Sequence, residues 1–234
     1  MRTNHQRRNF LKTGTVVGVA SLFGPVLASP LPEEKALEAS ATAVLEIIHK
    51  RRSVRQYRSD PVPAEHITLI LDAARMAPTA GNQQPWKFLV IQDRTKLNEL
   101  KAACLQQGIE RIKKREKLSE EAFQEREQKL IQYYEKCFSA PVYIVVLVDT
   151  ECQYPDYNKH DGALAAGNLM LAARALGYGT VYYTGSIPAE ITQKVLNIPE
   201  RYERICITPV GIPEKWPDTP PKKDLKELVV YEQF

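Results

Sequence analysis

The chain has no glycine-rich phosphate loop. None of its 11 glycines stands in a G-x-G-x-x-G or P-loop arrangement, so dinucleotide or triphosphate binding by those routes is not indicated. Cysteine is scarce: Cys104, Cys137, Cys152 and Cys206 include no Cys-x-x-Cys pair, and neither a metal nor a dithiol site is expected. Cys206 lies in the apolar run "RICITPV" and reads as a buried structural thiol. No internal repeat appears, and no apolar run is long enough to span a bilayer. A surplus of positive charge is missing as well, once its location is considered. The chain holds 32 basic and 28 acidic residues. Arg2, Arg7, Arg8 and Lys12 fall within residues 1–28, which carry no acid, so the remainder is formally neutral. Net charge gives no support to nucleic-acid binding.

What is present begins with that basic head. "RRNFLK" at Arg7–Lys12 is followed by the modest apolar stretch "TGTVVGVASLFGPVLAS" with small residues near its end. Positive head, apolar run and cleavage-like site in that order make an export signal, and the arginine pair resembles the twin-arginine pattern. Residues 1–28 are expected to be this signal, 29–40 a linker with Pro30 and Pro32, and 41–234 one mixed domain. The expected location is the periplasm or cell envelope, with the twin-arginine export machinery as a partner. Such a route carries folded proteins.

Helix-period patterns run through "TAVLEIIHKRR" and "AEHITLILDAARMA", and again through "DGALAAGNLMLAARALG", which Gly177 ends. "WKFLVIQ", "VYIVVLV", "GTVYYTG" and "RICITPV" read as strands, the second fully buried. Asp93 is placed to cap a helix through the first hundreds. "PAEITQKVLN" reads as a short helix with Pro188 in its first turn. Residues 108–136 are densely charged and predict a long, mostly solvated helical excursion. Helices and strands mix through one domain, with no parallel crossover series. His49 and His66 fall on helices and His160 just before one.

Two stretches carry chemistry. "KRRSVRQYR", Lys50–Arg58, gathers Arg51, Arg52 and Arg55 around Ser53. Cations at a helix end are favoured by its dipole, but several guanidinium forks beside a hydroxyl also make a clamp for a phosphate monoester. "APTAGNQQPWKF", Ala77–Phe88, is turn-like but long and amide-rich. It gathers small groups and amide donors in one place, more than a mere connection needs. Trp86 reads as a core anchor, and Gln83 and Gln84 as solvent-facing.

In order, "RRSVRQY", "DPVP", "APTAGNQQPWKFLVI", "LGYGTVYYTG" and "PVGIP" resemble the FMN-dependent nitroreductase family over residues 44 to 234. The resemblance implies an α+β fold, a central, mainly antiparallel sheet flanked by helices, in an intertwined homodimer with an FMN site at each subunit interface. It implies that Arg51, Arg52, Ser53 and Arg55 grip the phosphate, ribityl chain and pyrimidine edge of FMN. Pro78, Thr79 and Asn82 would come from the other subunit, and Tyr183, Thr184 and Gly185 would lie along the flavin face near N5. Lys222 matches the tail cation that meets the phosphate, with Lys223 equally local. NAD(P)H is a possible donor, and a small electron-poor molecule such as a nitroaromatic or quinone the acceptor. No side chain is assigned as catalytic. The excursion is about the size of the lid in the related iodotyrosine deiodinases, but Gly108 and Ile112 stand where those carry a Glu and a Tyr. A flavin-free periplasmic binding protein is the alternative from another class.

Overall fold

The structure, a computed structural model, describes residues 32–115 and 117–234. The expected export signal lies outside the described residues. The chain divides into two compact units, Met1–Ala41 and Thr42–Phe234. Helix α1 (Pro32–Lys50) begins inside the stretch expected to be linker and continues into the second unit. Pro32 has the fixed φ that suits a first helical position, and the "EEKALEASATAVLE" after it is built of good helix formers.

The second unit is organised by one antiparallel sheet, in the order β1-β2-β4-β3. Its strands are β1 (Trp86–Ile91), β2 (Val142–Asp149), β3 (Gly179–Thr180) and β4 (Tyr202–Gly211). β2 is buried from Val142 to Val148 because both of its faces are covered, which is why its sequence is a continuous apolar run rather than an alternation. Tyr143, Val145 and Leu147 enter one core, with α3 (Arg94–Arg115), α4 (Glu120–Cys137) and α6 (Ala189–Val195). Val142, Ile144 and Val146 enter the other, with α2 (Ala64–Ala74) and α5 (Asn158–Ala175). Each such buried aliphatic side chain stabilises the fold by roughly 1.5–3 kcal/mol.

Asp93 caps α3, its Oδ1 accepting from the Thr95 N–H at 2.8 Å. The charged excursion is two helices, α3 and α4, packed on one another; Ser119 restarts the helix by accepting from the Ala122 N–H at 3.4 Å. α5 begins at Asn158, so His160 lies within it. The segment expected as the strand "GTVYYTG" keeps one register along β4, pairing Gly179 with Gly211, Thr180 with Val210 and Tyr183 with Ile207. Only Gly179–Thr180 form regular strand, because this stretch shares its hydrogen bonds between β4 and a second neighbour at Ser53–Val54.

β2 and β4 hold one register from Val142–Val210 to Val146–Cys206, then slip to Leu147–Arg204, which makes Ile205 an inserted residue, a β-bulge. Among the described residues no helix is long and apolar enough to cross a membrane, and no cluster of His, Cys, Asp and Glu could hold a metal ion.

Candidate functional site

After Lys50 the chain leaves α1 as an extended strip along the edge of β3. The Val54 N–H donates to the Thr180 carbonyl at 2.9 Å, and the Arg58 N–H to the Ile212 carbonyl at 2.9 Å. Val54 is buried, and the buried Tyr57 hydroxyl donates back to its carbonyl at 2.5 Å. Gly179 allows this close approach: a Cβ there would stand 2.7 Å from Val54 Cβ. The strip therefore presents Arg51, Arg52, Ser53 and Arg55 from a fixed backbone.

The charges on that strip are uncompensated. Lys50 pairs with Glu46, Arg58 with Asp60 and Arg75 with Asp72, but among the described residues Arg51, Arg52 and Arg55 pair with no carboxylate. Arg52 is held by neutral acceptors: its Nη1 donates to the carbonyls of His49 (2.5 Å) and Arg51 (2.7 Å), and its Nη2 to Thr219 Oγ1. A further arginine that sequence reasoning missed, Arg174 near the end of α5, lies close enough to feel Arg52. Burial, then the Arg52 charge, draw its pKa below the ordinary arginine value, against the pull of Glu46. Arg174 stacks on Trp216 with its guanidinium carbon 3.7 Å from the ring centroid. The basic centre thus draws on α1, the strip, α5 and the tail.

The second expected element, Pro78–Asn82, is held differently. Gly81 (φ 55), Asn82 (φ 57) and Gln84 (φ 48) all take left-handed backbone, which costs a side-chain-bearing residue about 1–2 kcal/mol. Asp161, 4% exposed, accepts from the Ala80 N–H (3.2 Å) and from Gln83 Nε2 (2.7 Å), while Gln83 Oε1 accepts from the Tyr154 N–H (2.7 Å). Gln83 was expected to face solvent; instead it joins the loop to the start of α5. Thr79 Oγ1 accepts from the Gln84 N–H at 3.3 Å. Strain held in place by surrounding bonds is a mark of functional loops. Pro78 and Asn82 remain exposed.

Tyr183, Thr184 and Gly185 follow the sheet edge beside the strip. Tyr183 is 3% exposed and its hydroxyl has no hydrogen-bond partner; burial, with Cys137 beside it, raises its pKa, and Arg55 opposes the rise. Arg55 and Tyr183 therefore share one electrostatic neighbourhood. Tyr133 of α4 lies beside Ser186 and Cys137. Thr184 and Gly185 are exposed. Lys222 and Lys223 are exposed in the tail three and four residues beyond Thr219, the Arg52 partner.

The structure sets the strip beside Thr180 and brings Arg55 into the neighbourhood of Tyr183. It does not bond Pro78–Asn82 to either; that loop's described partners are at Tyr154 and Asp161. The donor set fits FMN. Three unpaired guanidinium groups suit a phosphate dianion, and the exposed Thr184–Gly185 segment leaves room for a flat ring. Gly108 and Ile112 serve packing: a Cβ on Gly108 would meet Leu130 of α4 at 2.7 Å, and Ile112 is buried.

A family model described as the nitroreductase family matches residues 48–212. The chain is 32% identical over 187 residues to a protein of Methanothermobacter thermautotrophicus described as an NADH dehydrogenase/NAD(P)H nitroreductase, covering 78% of this chain and 83% of that one. It is 30% identical over 190 residues to the iodotyrosine deiodinase of Thermotoga neapolitana, covering 79% and 95%. Among solved structures, a nitroreductase in complex with FMN from Desulfovibrio desulfuricans superposes with a TM-score of 0.63 at 27% identity, over 82% of this chain and 97% of that one.

Proposed function

The chain belongs to the nitroreductase family, and from that premise we propose that it is an FMN-dependent oxidoreductase reducing small electron-poor acceptors such as nitroaromatics or quinones. The observation that carries this reading is the uncompensated cluster of Arg51, Arg52 and Arg55 on a backbone-bonded strip, flanked by the ion-paired Lys50 and Arg58. Bound FMN supplies the redox chemistry, accepting electrons from a donor and yielding them to an acceptor.

The protein's residues bind and orient. Arg52, fixed by Thr219 and two carbonyls, anchors the phosphate with Arg51 and Ser53, and Lys222 adds the tail cation. Arg55, near Tyr183, holds positive charge toward the pyrimidine edge, where it favours developing negative charge. Thr184 and Gly185 would line the ring of bound FMN, and a site shared by donor and acceptor in turn would give ping-pong kinetics. NAD(P)H is one donor this arrangement admits, in keeping with the names of its relatives.

Pro78, Thr79 and Asn82 complete the site from a second copy, so the active form is a homodimer. Exposed Val44, Leu45, Ile48, Met76, Leu164 and Tyr231 supply apolar surface for that contact. A deiodinase is the weaker reading, since Gly108 and Ile112 act in packing. The arginine pair at Arg7–Arg8 supports export of the folded, loaded enzyme to the periplasm, where the working donor need not be a nicotinamide.

Purification tests the core of this proposal. The wild type should be yellow or take up FMN to one per chain, and sediment as a dimer. A colourless protein that takes up no FMN would overturn it. Changing Arg7 and Arg8 to Lys should leave yellow precursor in the cytoplasm, whereas undiminished export would remove the localisation claim.

A further inference from the structure

Arg204 is a buried arginine in β4, just before the core run that begins at Cys206. It is 9% exposed. Its Nη2 donates to the Thr184 carbonyl at 2.6 Å, and its Nε and Nη1 have no hydrogen-bond partner. Burying a charge while the donors on two of its three nitrogens stay idle is costly unless the site has a use for it.

The bulge at Ile205 explains how the side chain reaches this position. Along β4, Cys206 and Val210 belong to the core under α2 and α5, while Ile207 belongs to the opposite core. Strict alternation would send Arg204 to the same side as Cys206. The inserted residue shifts the phase, and Ile205 packs with Cys206 instead. Arg204 is thereby turned to the α3 and α6 side, where Cys104 and Glu190 are its titratable neighbours, with Cys206 across the strand. Glu190 is drawn outward by Arg111 (3.3 Å) and Gln107 (3.1 Å), and its side chain is 65% exposed. It bonds neither idle nitrogen of Arg204. A re-aimed side chain beside an active site is a recognised use of a bulge.

We propose that Arg204 is a positioning residue for the flavin segment. It fixes the Thr184 carbonyl, and hence the Tyr183–Gly185 backbone, and it sets a buried positive charge behind that backbone which favours reduced over oxidised FMN. The inference rests on the FMN reading above. Arginine stays protonated across the working pH range, so the charge is permanent. Because the charge is buried, water screens it less than the exposed cations of the strip.

The test compares the holoproteins of wild type, Arg204→Met and Arg204→Lys by redox titration of bound FMN against a reference dye, alongside thermal melting. Arg204→Met should lower the preference for reduced over oxidised FMN about tenfold, which for a two-electron couple is a midpoint about 30 mV more negative. Arg204→Lys should restore most of that preference, because it returns the charge. A methionine variant that melts differently but keeps the wild-type midpoint would overturn the proposal, as would a lysine variant that matches methionine. Arg204→Gln, which keeps a donor for the Thr184 carbonyl and loses the charge, answers the same question should the methionine variant not fold. A wild type that takes up no FMN would fail the FMN reading itself, whereas an FMN-loaded wild type with unmoved variants fails only this inference.

Discussion

The strip at Arg51–Arg58 and the loop at Ala77–Gln84 are held by opposite means. The strip is backbone on backbone: Val54 to Thr180, Arg58 to Ile212, with the apolar Val54 sealed beneath. Its polar side chains are left over, and those are what it offers. The loop spends its polar side chains on itself. Gln83, Asp161 and Thr79 are consumed in holding three left-handed residues in place, and what the loop offers is exposed backbone and small surface. Recognition of a dianion needs free charge on a regular frame. Close approach to a flat ring needs unusual backbone, and unusual backbone needs a clamp.

That contrast can be broken from either side. The largest effect is expected from Asp161→Ala, which removes the acceptor of both Ala80 N–H and Gln83 Nε2. Gln83 Nε2 keeps the Tyr154 carbonyl at 3.1 Å, but the partly buried Ala80 N–H is left unpaired, which costs about 1–3 kcal/mol, and urea unfolding should show a loss of that order together with weakened FMN retention. If the variant unfolds like wild type, the loop does not depend on its clamp. Arg52→Ala should do the reverse. Losing a charge-assisted bond worth roughly 1.5–3 kcal/mol raises the FMN dissociation constant about tenfold or more, while the apoprotein melts nearly as before; a large loss of apoprotein stability would show that the strip is held by its side chains after all.

Gly81→Ala is smaller and specific to the loop. It forces a Cβ into left-handed backbone at about 1–2 kcal/mol and against the Tyr154 ring. Calorimetry should register the loss, and an unchanged melting profile would mean that the loop relaxes freely. The least effect concerns pH. Arg201 bonds Asp149 and holds its carboxyl below the ordinary value, and Asp149 in turn accepts from the Glu151 N–H and, through its carbonyl, from Asn158 Nδ2. A carboxyl with lowered folded pKa stabilises above its unfolded pKa, and that contribution fades as pH falls through the folded value. Wild type should therefore exceed Arg201→Gln by at most about 0.5–1 kcal/mol at pH 6, and the difference should shrink on acidification below the ordinary carboxylate range. A difference that grew on acidification would contradict this sign.

The same division decides what the sequence discloses. β2 is legible because a run of seven apolar residues has one use, and the Asp93 cap because capping is local. The arginines are legible because they are unpaired and adjacent. Gln83 is not, since its partner Asp161 is 78 positions away and nothing in "GNQQP" names it. Arg174 and Trp216 meet only through the fold. Arg204 did leave a trace, a charge at the head of "RICITPV", but its direction depends on a one-residue bulge that alternation alone predicts wrongly. Arg52 required Thr219, from a tail whose path no periodicity marks.

The strip has one more effect, on the company the protein keeps. β3 is a two-residue strand at the end of its sheet, and an open strand edge is a template for other chains. Ser53 and Val54 occupy that edge in parallel pairing with Thr180, so the arginine-bearing segment also stands guard over it. A molecule in which the strip peels away would lose its proposed anion clamp and expose an adhesive edge at once. Selection for a soluble, non-aggregating protein and selection for a charged binding site therefore act on the same few residues.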